Sequence, residues 1–181
     1  MIKSILTLLL LFCLSGIAHA QLLDQEEYKL YSLLMQYRKQ QGLPSIPISR
    51  SLTFVAQAHV VDLADNKPDT ELCNPHSWSD KGKWSACCFT DDFAESQCMW
   101  SKPRELTAYT GDGYEISCGS NACCSDFVMT AAYALESWKS SSGHNDVILN
   151  HGMWESSWNA VGIGIYKGFA VVWFGNEADT E

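Results

Sequence analysis

Apolar positions recur at three- and four-residue intervals in three stretches of the chain, and two runs of unbroken apolar content follow near its end. Across residues 24–41, Leu30, Leu33, Leu34 and Tyr37 form a one-sided stripe, which predicts a helix with one face buried. Asp24 is placed to cap it, Glu26 and Glu27 suit its positive end, and Gly42 with Pro44 stops it. A second stripe, Leu52, Val55, Ala56, His59, Val60 and Leu63, predicts a helix from Ser49 or Ser51 to about Asn66. The third spans 126–139 with Val128, Ala131, Ala132, Leu135 and Trp138 inside and Glu136 on another face. The chain then passes His144 in a Ser/Gly turn and crosses a Trp-rich loop. Residues 161–166 and 169–174, parted by Lys167-Gly168, read as a hairpin in a sheet covered on both faces.

Between residues 71 and 108 this periodicity fails. A stretch of that length without elements is unusual unless it is functional or cross-linked, and cysteine supplies the cross-links. Cys73, Cys87, Cys88, Cys98, Cys118, Cys123 and Cys124 all fall in one region, 73–124. The vicinal pairs lack the C-x-x-C spacing that zinc prefers, so a disulfide framework is expected, with neighbours bonded to different partners. Leaving aside Cys13 in the first twenty residues, these seven are an odd number, which leaves one thiol free, capped or joined to a second chain as a disulfide-linked dimer. Trp78, Trp84 and Trp100 are expected to form a satellite core under these loops or to line a groove wall.

Composition narrows the setting. The 181 residues leave room for one mixed α and β domain, 21–181. Residues 1–20 have a Lys3-bearing start, an apolar run over 5–14 and the small-x-small site Ala18-His19-Ala20, the pattern of a secretory signal peptide cleaved after Ala20. The run is too short to span a bilayer. Export to the periplasm or extracellular space follows. The net charge of −9, one unit more negative without Lys3, argues against a nucleic-acid partner.

The candidate chemistry rests on His76, Glu115 and His144, with Glu136 a fourth candidate. Two imidazoles and a carboxylate suit zinc or another divalent cation, and they also suit general acid/base work. Their plain alternative is surface histidines in loops, because nothing local forces residues so far apart to converge. Glu115 lies between Tyr114 and Ile116, where a carboxylate is paired, metal-bound or shifted in pKa. His59, on an apolar helix stripe, reads as a satisfied core residue. No nucleophile elbow, phosphate loop or H-E-x-x-H run is present, and no organic cofactor is expected.

Six segments, in order, resemble the bacterial branch of the CAP superfamily, the cysteine-rich secretory, antigen-five and pathogenesis-related (SCP-domain) proteins. They are LYSLLMQYRKQQGLPSIPIS, SLTFVAQAHVVDLADN, PHSW at 75–78, GYEI at 113–116, WKSSSGHNDVILN at 138–150 and VGIGI at 161–165. The resemblance implies an α+β fold, an α-β-α sandwich on a central antiparallel sheet, here with a disulfide-rich insertion at about 71–124. It further implies a cleft with two His and two Glu, metal-binding in some members, onto which His76, Glu115 and His144 carry over. The second Glu of many members is Ser141 here, and Glu136 is poorly placed to replace it, so a three-ligand site is what the resemblance leaves. It implies binding of a small or lipid-like ligand in the cleft ahead of catalysis. The rival is a metal-dependent hydrolase with Glu115 as base.

Overall fold

The computed structural model describes residues 22–119 and 127–181. The expected signal peptide, Cys123, Cys124 and the expected helix start at Asp126 lie outside the described residues. Helix α1 (Gln25–Gln40) opens with a reciprocal cap: the Asp24 carboxylate accepts from the Glu27 amide at 2.8 Å, and the Glu27 carboxylate accepts from the Asp24 amide at 2.9 Å. Helix α2 (Arg50–Asn66) starts at Ser49, whose hydroxyl accepts from the Leu52 amide, and all six residues of its expected stripe are buried.

Among the described residues three antiparallel strands, β1 (Tyr114–Cys118), β2 (Ala160–Tyr166) and β3 (Phe169–Gly175), stand in the order β1-β3-β2, with Lys167-Gly168 as the hairpin turn. Side chains alternate between faces along each strand. Glu115 lies opposite Trp173, and Trp173 opposite Gly162, so these three share the face that α2 covers. Ile116, Val172 and Ile163 line the other face with α1, α5 (Ala131–Ser140) and α6 (Ser142–Leu149). The result is a sheet between two helical layers with a separate apolar core on each side.

The glycines of VGIGI set how closely α2 lies. A Cβ on Gly162 would stand 2.1 Å from the carbonyl carbon of Leu52, and one on Gly164 2.5 Å from the carbonyl oxygen of Ala56. The backbone of α2 therefore rests directly on β2, and His59 is held over the sheet.

Three expectations need correction. The 71–108 stretch is not without elements: α3 (Ser96–Trp100) and α4 (Lys102–Leu106) form there, α4 with Pro103 in its first turn, where a missing amide costs nothing. The third helix begins only at Ala131, capped by the Thr130 hydroxyl, so its inward residues are Ala131, Ala134, Leu135 and Trp138, while Val128 is exposed. Ser142-Gly143-His144 is the first turn of α6 and not a loop; a 3-10 turn at Gly152–Trp154 follows.

Disulfides Cys73–Cys88 and Cys87–Cys98 give the vicinal pair two different partners, as expected. Cys118 is bonded to no other described cysteine. Trp78 is buried and Trp84 and Trp100 partly so, all in the α2-side core.

Candidate functional site

β1 is an edge strand, and at its edge the two helical layers part. His76 comes to this gap from the cysteine-rich segment, His144 from α6, and Glu115 from β1 itself; all three line one cavity of about 400 Å³. Glu136 does not. It stands exposed on α5, ion-paired with Lys139 at 2.7 Å.

Glu115 is enclosed, its side chain hidden from solvent, and both oxygens are taken by imidazoles. His59 Nδ1 lies 2.5 Å from Oε2 and His76 Nδ1 lies 2.8 Å from Oε1. His59 Nε2 stands 2.9 Å from the Ser77 carbonyl, which can only accept, so that nitrogen carries a proton. An ionised Glu115 is likewise an acceptor, which puts a second proton on Nδ1 and makes His59 an imidazolium. Burial alone would push the His59 pKa down, but attraction to Glu115 and hydrogen bonds to Glu115 and Ser77 outweigh it, and the pKa is raised. Burial likewise works to raise the pKa of Glu115, and the charge and hydrogen bonds of His59, then those of His76, lower it on balance. His59 also lies flat on Trp78, ring centroids 4.3 Å apart and planes within 7°.

By accepting from Nδ1–H of His76, Glu115 fixes which nitrogen of that ring holds the proton and leaves Nε2, with its lone pair, for the cleft. His144 is pushed below the usual histidine pKa by burial and then by nearby His76, so at neutral pH it is uncharged. His59 is the participant that sequence reasoning filed as core. It is core, and it is also the partner that keeps Glu115 charged.

A second cavity of about 340 Å³ adjoins the first and shares with it His76, Phe93, Glu115 and Trp154. Its own walls are chiefly apolar, built from Phe89, Met99, Trp100 and Tyr114. Ser141, where the sequence resemblance would put a second Glu, lines the first cavity beside His144 and offers a hydroxyl in place of a charge. Among the described residues no three of His, Cys, Asp and Glu are grouped so as to hold a metal ion. With Glu115 bound on both oxygens, His76 and His144 are the expected site residues that remain for an ion; Asp146 and His151, 3.5 Å apart, line the same cavity.

The fold is similar to three solved structures. An extracellular protein containing an SCP domain from Bacillus anthracis matches with a TM-score of 0.57 at 18% identity, over 84% of this chain and 40% of that one. This chain has the SCP-domain fold. A Borrelia burgdorferi outer surface protein matches with a TM-score of 0.56 at 17% identity, over 86% and 96%. A cysteine-rich secretory protein from Staphylococcus aureus matches at 0.52 and 16%, over 84% and 39%. The chain thus spans about 40% of the first structure's length and 39% of the third's. No protein-family model matches the sequence, and no curated protein matches it. At these identities the likeness carries the SCP fold and nothing about ligand or activity. Among the described residues no helix is long and apolar enough to cross a membrane.

Proposed function

We propose that this is an exported SCP-fold binding protein whose cleft takes a small amphiphilic or lipid-like molecule. The observation that carries the reading is the pair of adjoining cavities meeting at His76. Each is of ligand-pocket size; one is walled by aromatic side chains and the other carries the imidazoles. A polar end would hydrogen-bond His76 Nε2 and His144, and an apolar body would lie along Phe89, Met99 and Trp100. Export is supported by the signal-peptide pattern and the disulfides, and by similarity to extracellular and outer-surface proteins.

The test is fluorescence titration with 11-(dansylamino)undecanoic acid, beside His76→Ala and His144→Ala. The expected result is micromolar binding, weakened about tenfold or more in each variant, the loss of one good hydrogen bond to a desolvated head group. No binding by the intact protein up to millimolar probe would overturn the reading.

A divalent ion such as zinc is a second reading, supported by one observation. A carboxylate behind Nδ1–H is the usual setting of a metal-binding histidine, and Glu115 stands so behind His76. His76 and His144 would hold the ion, and Glu115 would be the hydrogen-bonded support. Calorimetric titration with zinc on the oxidised protein tests this; binding lost in both His→Ala variants supports it, and no heat at neutral pH removes it. The same geometry argues against Glu115 as the base of a hydrolase, since both its oxygens already accept imidazole protons.

A further inference from the structure

Phe93 combines three properties that no packing role explains together. Its backbone is left-handed, at φ 60°, a region that a bulky side chain rarely occupies and that clusters at ligand sites. The residue is 57% exposed, so burial does not offset that conformation. Yet it lines both cavities of the cleft.

The surrounding turn is built to hold it there. The Phe93 amide donates to the Thr90 carbonyl at 3.0 Å, the Thr90 hydroxyl donates to Asp92 Oδ1 at 2.5 Å, and the Ala94 amide donates to the same oxygen at 3.2 Å. The turn is pinned on either side by disulfides, through Cys88 to Cys73 and through Cys98 to Cys87. From Phe93 a file of edge-on rings leads inward: Phe93 to Phe89 at 5.5 Å, and Phe89 to His76 at 5.4 Å. The exposed ring is thus the outer end of an aromatic wall whose inner end is the polar anchor.

We propose that Phe93 is the specificity-determining contact of the cleft, a ring held at the junction of the two cavities that grips ligands long enough to extend from one into the other. This rests on the binding reading above and names the residue that selects among ligands. A short amphiphile anchored at His76 fits within one cavity and meets only one side of the Phe93 ring. A long one must pass it, and gains the apolar surface that the ring now exposes to water.

The experiment is displacement of 11-(dansylamino)undecanoic acid by hexanoate, decanoate and hexadecanoate from the intact oxidised protein and from Phe93→Ala, Phe93→Gly and Phe93→Leu. The expected result is a loss that grows with chain length. Hexanoate should be weakened no more than about twofold and hexadecanoate about tenfold in the Ala and Gly variants, the size of one lost ring contact, with Leu partly restoring it. Phe93→Gly should melt no lower than Phe93→Ala, because glycine accepts the left-handed backbone without strain. A loss independent of chain length, or one that tracks a fall in melting temperature, would show a structural residue and overturn the proposal. Chains that bind equally well with and without the ring would also overturn it and leave the binding reading intact. An intact protein that binds none of these chains would overturn both.

Discussion

His59 Nδ1 lies 2.5 Å from Glu115 Oε2, with neither side chain exposed to solvent. Two residues 56 positions apart, one on the middle of α2 and one on an edge strand, thus form a buried ion pair directly behind the cleft. Such a pair is weak evidence for stability, because desolvation offsets much of the attraction; removing one partner is a different matter, since the other charge is then stranded. The pair's evident effect here is on His76, whose ring it orients through the second carboxylate oxygen.

Glu115→Gln keeps the shape and removes the charge. We expect a destabilisation of about 3–5 kcal/mol near pH 6, the usual result of unpairing one member of a buried pair, read by urea unfolding of the oxidised protein. The pH dependence follows from the two shifts. His59 has a raised pKa, so its contribution is complete below the ordinary histidine value of 6.5 and is lost as pH rises through the folded value. Glu115 has a lowered pKa, so its contribution is complete above the ordinary 4.5 and is lost as pH falls through the folded value. The gap between wild type and variant should therefore be widest between pH 4.5 and 6.5 and shrink on both sides. A gap independent of pH would mean that the pair is not ionised.

Gly162→Ala tests whether the seating of α2 governs the site. The added methyl would meet the Leu52 backbone at 2.1 Å, and backbone cannot swing aside as a side-chain tip can. The helix must lift, carrying His59 away from Glu115. We expect a loss of about 1–3 kcal/mol, the range for overpacking, and weaker probe binding although Gly162 does not line either cavity. Gly143→Ala is the control: nothing stands within 4 Å of its Cβ position, and it should be neutral or stabilising in thermal melts.

Much of this fold was legible in the sequence because it is carried by period. The stripes of α1 and α2 and the apolar runs of the hairpin each name their own inward face; the structure buries the α2 stripe and β3 fully, and on α1 buries Leu30 and Leu34 with Leu33 and Tyr37 partly covered. Where local composition argued the other way, the reading slipped. Ser140, Ser141, Ser142 and Gly143 have the make-up of a turn, yet Ser140 ends α5, Ser141 caps both helices, and the packing of Val147, Ile148 and Leu149 makes Ser142 and Gly143 the start of α6. The short α3 and α4 are fixed by the Cys87–Cys98 bond and by Lys102, which donates to the Ser85 carbonyl and pairs with Glu105; none of this leaves a periodic trace. His76, Glu115 and His144 were named as candidates, but spacing could not say which would touch. Nor could the apolar neighbours of His59 reveal that its ring faces a carboxylate on β1. That contact is a product of sheet register.

Arg38 connects α1 to the far wall of the cleft. It is buried without a carboxylate partner among the described residues. Nη1 donates to the Ile148 carbonyl and to Asn150 Oδ1, the latter at 2.8 Å, and Nε donates to the Pro44 carbonyl at 3.2 Å. Burial lowers its pKa, but a guanidinium stays protonated. Asn150, left-handed at φ 55°, then donates to the Trp154 and Ser156 carbonyls at 3.0 and 2.6 Å, and Trp154 is a wall of both cavities. Arg38→Met, which preserves much of the apolar stem, should strand these acceptors at about 1–3 kcal/mol for each one left unsatisfied. Arg38→Lys should rescue little, because one ammonium cannot reproduce the planar fork. Urea unfolding reads the stability. Amide exchange distinguishes a local role from a global one: protection should fall across residues 142–154 in the Met variant at denaturant concentrations where α2 is still protected. Equal loss in both helices would show that Arg38 supports the core as a whole and has no particular hold on the cleft.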